Sequence, residues 1–412
     1  MSSTLQNWAE SFTYRAARVH TPKSLAELQD VVRSAPNVKA LGTRHSFNRI
    51  ADTSADLISL CHFDHIDPVN PEAHTVRIGA GVTYGALARQ LQADGYALHN
   101  LASLPHISVV GACATATHGS GDANGNLASA VRSIEWVDAD GELQRRTRGD
   151  QEFPGVVVNL GALGVVTGLE LDVVPAFSVK QHVFQNLPLR SVLDHFDGVM
   201  GQGYSVSLFT DWQTAAINQL WVKLTDGEPD GFGAEPADRP LHMISTNSPD
   251  NCTDQLGAPG PWHERLPHFK MEFTPSNGAE LQSEYLIPRN FAPQALEVVS
   301  QLGSLVGPVL FISEVRTIAA DDLWMSPCYR QPCVGIHFTW HRDQAAVEQI
   351  LPTLEAALDP FDARPHWGKL FAMDSAQIAA RFERLPDFQR LRHRFDPLGK
   401  FRNEFLDSKM HS

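Results

Sequence analysis

Between Ser103 and Gly125 the chain reads SLPHISVVGACATATHGSGDANG, and few folds can use such a run. Gly111, Ala112, Ala114, Ala116, Gly119, Ser120 and Gly121 crowd together with the hydroxyls of Ser108, Thr115 and Thr117. Side chains this small add little to a core, but they let backbone approach a ligand closely, and successive N–H groups can then wrap phosphate oxygens. A second stretch, LGTRHSFN at residues 41–48, sets Gly42 beside Arg44 and the titratable His45. Taken singly, each stretch also suits a tight turn. No G-x-G-x-x-G lies between a strand and a helix and no P-loop occurs, so a nicotinamide-binding Rossmann domain is unsupported.

At 412 residues the chain exceeds what one core usually supports, and two domains are expected, at 1–177 and 178–412. The formal net charge is −14, with Lys and Arg scattered, which argues against a nucleic-acid partner. An anionic cofactor must then be held by backbone N–H groups or a few placed cations. The N-terminal residues lack an apolar segment, and nowhere do roughly 18 apolar residues run together, so a cytoplasmic protein without a membrane partner is expected. Five widely spaced cysteines predict reduced thiols and no disulfide framework.

Residues 24–34 carry apolar positions at helical spacing, with Ser24 and Glu27 placed for a capping box. Short extended runs are expected at 38–41, 57–60 and 75–78, and a helix from Tyr84 to Asp94 that stops at Gly95. SIEWVDADGELQRRT predicts two strands around an Asp140-Gly141 turn, and VVTGLELDVVP a further strand. Residues 226–240 read as a long loop. Beyond it, strands are expected in KMEFTPS, SEYLIP, FISEVRTIA and VGIHFTWH, with helices near 294–302 and 343–358.

Three motifs occur together: G-x-x-H-S-F near the start, S-L-P-H-x-S-V-x-G-A-x-x-T-x-T-H-G-S-G some sixty residues later, and D-P-x-G-K-F-x-N near the C-terminus. In this combination the chain resembles the vanillyl-alcohol-oxidase-type flavoproteins, and among them the alditol oxidases, close to the aldonolactone oxidases. The resemblance implies an α+β fold with two domains, an FAD-binding domain and a cap domain whose sheet is covered by helices. Residues 395–412 would pack back on the FAD domain. It also implies FAD bound covalently through His45, with Leu41, Gly42, Thr43, Arg44 and Ser46 around it. Ser103, Ser108, Gly111, Thr115, Ala116, Thr117 and His118 would line the cofactor, and Val166 in the GALGVVT turn would complete the adenine side. His366 is implied beside the flavin as well. His106 and His118 read as hydrogen-bonding or packing residues of their loop, not as reactive groups.

Alcohol oxidation by a flavin needs polar groups that stabilise a developing alkoxide while the carbinol carbon faces the ring. If FISEVRT is a strand, Glu314 and Arg316 share a face, and in GIHFTWH so do His337, Thr339 and His341, with Ile336, Phe338 and Trp340 opposite. The alternation suits a solvent-facing sheet equally well. The resemblance makes this face a substrate floor of Ser103, Glu314, Arg316, His337 and Thr339, with Lys369 of HWGKLF; Lys369 and Arg316 would stand at the reacting hydroxyl. His341 has no counterpart and stays outside the site. The pair of histidines in HFTWH suits a metal only on a helix and lacks the HExxH glutamate, so no metal is expected. The implied activity is oxidation of the terminal alcohol of polyols such as xylitol and sorbitol, with oxygen reduced to hydrogen peroxide, by a monomer. The alternatives are an aldonolactone oxidase or dehydrogenase of the same family, and a flavin-holding protein without turnover.

Overall fold

Ser24 starts the first helix, Leu25–Ser34, by accepting the N–H of Glu27 at 3.2 Å. Glu27 turns back to the N–H of Lys23 (2.8 Å) instead of that of Ser24, so only half of the expected reciprocal cap forms. The chain is seen in a computed structural model that describes residues 5–272 and 280–410. The helix packs Leu28 and Val32 towards a small parallel sheet ordered Arg18–His20, Asp56–Ser59, Val38–Leu41. Beside it lies an antiparallel sheet ordered Thr75–Gly79, Val165–Asp172, Val131–Val137, Leu143–Thr147. In its hairpin, Asp138 accepts the N–H groups of Asp140 and Glu142 while Gly141 takes the left-handed φ of 78°. The turn is thus set by an Asx side chain as well as by the expected Asp-Gly pair.

From Ser178 onward a large antiparallel sheet takes over. Its strands run, in spatial order, Glu235–Pro236, Ser178–Pro188, Ala216–Leu224, Ser205–Thr210, Leu310–Ile318, Cys333–His341, Glu280–Pro288 and Arg364–Pro365, with Gly260–Pro261 paired to Ser178–Pro188. Alternation divides this sheet into two unlike faces. Val315, Ile336, Phe338, Trp340 and Tyr285 are buried beneath the helices Leu189–Gly201, Ala292–Gln301 and Gln344–Leu358, and Tyr285 donates its hydroxyl to Glu355 at 2.7 Å. The opposite face carries Glu284, His337 and Glu314 in one row, because Glu284 and Glu314 both stand in register with His337.

The strand expected in KMEFTPS is absent at Lys270–Glu272, and the rest of that stretch lies outside the described residues. Within 226–240 only Glu235–Pro236 is extended, as an edge strand.

The last residues return to the first sheet. Asp396 accepts the N–H groups of Lys400 and Phe401, and Val38 donates its own N–H to the carbonyl of Lys400 at 2.9 Å. Phe401 is buried among Leu28, Val32, Val38 and Ile58, a placement worth about 2 to 3 kcal/mol in apolar burial. Asn403 donates to the carbonyls of Arg49, Ile50 and Asp52. All five cysteines are free thiols, four of them buried. Among the described residues no helix is long and apolar enough to cross a membrane.

Candidate active site

The polar face of the large sheet, the turn around His45 and the small-residue segment from Ser103 enclose one cavity of 680 Å³. That volume lies within the usual range for cofactor and substrate sites. Gly42 and Gly111 bring two backbone segments together about Ser108. A Cβ on either would press on Ser108 Oγ, at 2.9 and 2.7 Å, and, chain neighbours and the helix's own backbone aside, would meet no other atom of the described residues within 4 Å. The space those missing side chains would fill is cavity, as a cradle for a bulky ligand requires. The fully buried Lys39 joins the same wall and donates to the carbonyls of Gly161 (2.7 Å) and Phe401 (3.1 Å); burial lowers its pKa to about 7, so a bound phosphate would favour its charged form. Glycine-lined backbone together with one buried lysine suits a pyrophosphate-bearing cofactor such as FAD.

His45 is held from two sides. Its Nδ1 lies 3.1 Å from Thr43 Oγ1, a hydroxyl that also accepts the N–H of Ser108 at 3.0 Å, and its ring stacks on Trp8 with centroids 5.3 Å apart. Burial, helped by nearby His106, lowers its pKa to about 4, so at neutral pH the imidazole is uncharged. His106 bonds the carbonyl of Met271 at 3.0 Å and does not line the cavity.

At the sheet end, Glu284 gathers the charges. Its Oε2 accepts from Lys369 Nζ at 2.6 Å, and its Oε1 accepts from Arg316 at 2.9 Å and lies 3.2 Å from His118 Nε2. Burial would raise the Glu284 pKa, but Lys369, His118 and Arg316 outweigh it and hold the carboxyl well below the usual range. Lys369 is lowered, first by burial and then by Arg316, against the pull of Glu284. Its ammonium lies 2.7 Å from His337 Nδ1. An ammonium has no lone pair, so His337 accepts there and carries its proton on Nε2, 3.0 Å from Thr339 Oγ1. Burial and Lys369 lower the His337 pKa to about 4, consistent with that neutral tautomer.

The cavity wall includes Leu41, Gly42, Thr43, Arg44, His45, Ser46, Ser103, Ser108, Gly111, Thr115, Thr117, His118, Val166, Glu314, Arg316, His337, Thr339, His366 and Lys369. Ala116 is not on it: at φ 54° the left-handed turn sends its methyl into the core, where it is 2% exposed. Val166 lies in the strand Val165–Asp172, past the turn in which it was expected. Arg44 is exposed and reaches away to the carbonyl of Gln6 at 3.1 Å. His341 is exposed against Phe311. Sequence reasoning missed Glu284, Gln282, His268 and Lys39. The first two had a readable signal, since QSE, on the far side of the strand Cys333–His341, repeats the period-two polar pattern of SEVRT.

Comparison with known proteins agrees with this geometry. A family profile described as "FAD binding domain" matches residues 16–147, and one described as "D-arabinono-1,4-lactone oxidase" matches residues 276–409. The fold is that of cholesterol oxidase from B. sterolicum, with a TM-score of 0.79 at 15% identity over 99% of this chain and 96% of the other. An α+β fold with an FAD-binding domain and a second domain defines a flavin-dependent oxidoreductase. Over 98% of its length, and 99% of the relative's, the chain is 52% identical to alditol oxidase from Streptomyces sp., and it belongs to the vanillyl-alcohol-oxidase-type flavoprotein family. L-gulono-1,4-lactone dehydrogenase from Mycobacterium tuberculosis is 28% identical, over 98% of each chain.

Proposed function

We propose that the protein is an FAD-dependent alditol oxidase that converts the terminal primary alcohol of a polyol such as xylitol or sorbitol to the aldehyde and passes the electrons to oxygen, giving hydrogen peroxide. The observation that carries this reading is the buried set in which Glu284 pins Lys369 and Arg316 side by side, facing the glycine-lined half of the cavity. FAD, held by residues 41–46, Ser103, Ser108, Gly111, Thr115, Thr117, His118, Val166 and His366 and linked through His45, would supply the hydride acceptor.

The chain's own residues do the rest. Lys369 and Arg316 stabilise negative charge growing on the reacting hydroxyl oxygen, and because Glu284 already fixes them, little reorganisation is needed as that charge develops. Arg316 Nε makes no hydrogen bond with the described protein, which leaves a buried donor for a ligand oxygen. Thr339, receiving the Nε2–H of His337, has its own hydroxyl hydrogen left to donate. Glu314, also buried, is a carboxylate whose pKa burial would raise but Arg316 and His268 hold far down, so it accepts from the polyol's remaining hydroxyls.

A lactone is the second reading, favoured by the lactone-oxidase profile over the region that holds Glu284, Glu314, Arg316, His337, Thr339 and Lys369. Steady-state assays with xylitol against gulono- and galactono-lactone separate the two: the alditol reading predicts the higher kcat/KM for xylitol, and a preference for either lactone reverses it. For the cofactor link, acid precipitation of the parent protein should leave a yellow, fluorescent pellet, and His45→Ala should release its FAD into the supernatant. Release from the parent would remove the link.

A further inference from the structure

Beside Glu314 lies a lysine and histidine pair that the proposed reaction does not use directly: His268 forms part of the cavity wall, and Lys223 stands behind it, off that wall. Lys223 is fully buried in the strand Ala216–Leu224, and its ammonium meets three acceptors: the carbonyls of Leu266 (2.6 Å) and Pro267 (3.1 Å), and Nδ1 of His268 (3.3 Å). His268 is buried too, wedged edge-on against Phe209 and Trp221, and its Nε2 lies 2.8 Å from Glu314 Oε1. Burial lowers the Lys223 pKa to about 7 against the pull of Glu314; in its ammonium form the three N–H groups match the three acceptors, so Nδ1 accepts, and the ionised Glu314, which can only accept, takes the proton that a neutral His268 carries on Nε2. Burial lowers His268, so a neutral ring agrees with its surroundings.

We infer that Lys223 and His268 are positioning residues: Lys223 caps Nδ1 of His268 and so keeps the ring neutral, and His268 occupies one oxygen of Glu314 so that the other is left for the substrate. Glu314 Oε2, 3.6 Å from Arg316 Nε, makes no hydrogen bond among the described residues and is that remaining acceptor. A carboxylate anchored in this way presents one lone-pair direction, not a rotating pair, and so selects for a polyol hydroxyl at one place beyond the reacting carbon. The inference rests on the alditol reading for its substrate, but not for its tautomer.

The first test is therefore made without substrate. Nitrogen-15 NMR of the histidine-labelled holoenzyme at pH 7 should show His268 neutral and protonated on Nε2, and in Lys223→Met, where Nδ1 has lost its donor while Glu314 still accepts from Nε2, the ring should shift towards the imidazolium. In the parent, a ring protonated on Nδ1, or an imidazolium, overturns the inference whatever the substrate proves to be. The second test reads binding against turnover. His268→Leu should raise the KM for xylitol roughly ten- to a hundredfold, the loss of a hydrogen bond to a charged group, with kcat within about threefold of the parent. His268→Gln, whose amide N–H reaches towards the same carboxylate, should recover most of that loss. If His268→Leu does not fold, His268→Gln against His268→Asn, whose shorter amide falls short of Glu314, carries the same comparison. An unchanged KM in His268→Leu, or a His268→Gln as impaired as the leucine variant, overturns the positioning role. A parent enzyme that ignores xylitol while its NMR shows the expected tautomer overturns the alditol reading alone.

Discussion

A surface lysine is ordinarily a flexible, solvated group, and Lys369, proposed above to stand at the reacting oxygen, is neither. Its ammonium is held at 2.6 Å by Glu284 and 2.7 Å by His337, with its side chain 13% exposed. This fixed placement, more than the charge itself, is what a developing alkoxide requires, because a solvated lysine would have to shed water and reorient during the reaction. Replacing Lys369 by alanine should therefore lower kcat by a factor of about a hundred to a thousand, the usual cost of removing one preorganised donor from a reacting oxygen. Stopped-flow measurement of flavin reduction checks it, and near-parent rates would remove Lys369 from the chemistry. His45 shows the opposite use of a titratable group, since burial keeps it neutral and hence nucleophilic.

The strands turn those single residues into a site. Glu314, His337 and Glu284 come from three strands and meet in one row because antiparallel register aligns them, not because they are close in sequence. Glu284 balances two buried cations, so Glu284→Ala should destabilise the protein by about 3 to 5 kcal/mol, the cost of leaving such charges unpaired. Thermal unfolding checks this, and a loss below 1 kcal/mol would mean that the cations find other partners. These strands also show what a reader of the sequence can and cannot recover. The alternation in FISEVRT and GIHFTWH revealed which residues share a face, but a polar face that is wet and one that lines a closed cavity have the same alternation. Glu314, Arg316 and His337 are covered by His268, Glu284 and Lys369, partners 32 to 46 residues away that local alternation cannot reveal. Glu284 escaped because its strand looked apolar from Tyr285 to Ile287. Ala116 was misplaced because a left-handed φ redirects one methyl, a backbone event that an alanine does not advertise. Lys39 and His268 had no local signal: their partners are carbonyls and a carboxylate from distant segments.

Across the whole molecule, both ends of the chain meet at the cofactor half. Phe401 and the carbonyl that receives Lys39 lie on the same returning segment, so the C-terminus supports the cavity wall from behind. Phe401→Ala should cost about 3 to 5 kcal/mol and lower the FAD content of the purified protein; unaltered Tm and flavin content would detach the tail from the site. Acid should act on the whole fold as well. His45 and His337 are held near pKa 4 by burial, against about 6.5 in an unfolded chain, so between those values the unfolded state binds protons that the folded state refuses. Stability then falls as pH drops from about 6.5 towards 4, and Glu284 and Glu314, whose pKa values lie lower still, add their loss only in stronger acid. Tm measured over that range should decline in the parent and more shallowly in His337→Asn; a flat profile would contradict the buried neutral rings.

In the proposed reaction one cavity holds an oxidised flavin on its glycine-lined side and presents a polyol to it from the charged side. Anaerobic addition of xylitol to the purified protein tests this most directly. An alditol oxidase loses its yellow absorption on that addition and regains it in air as hydrogen peroxide appears. A protein that purifies without flavin, or whose colour survives every polyol and lactone offered under nitrogen, would contradict it.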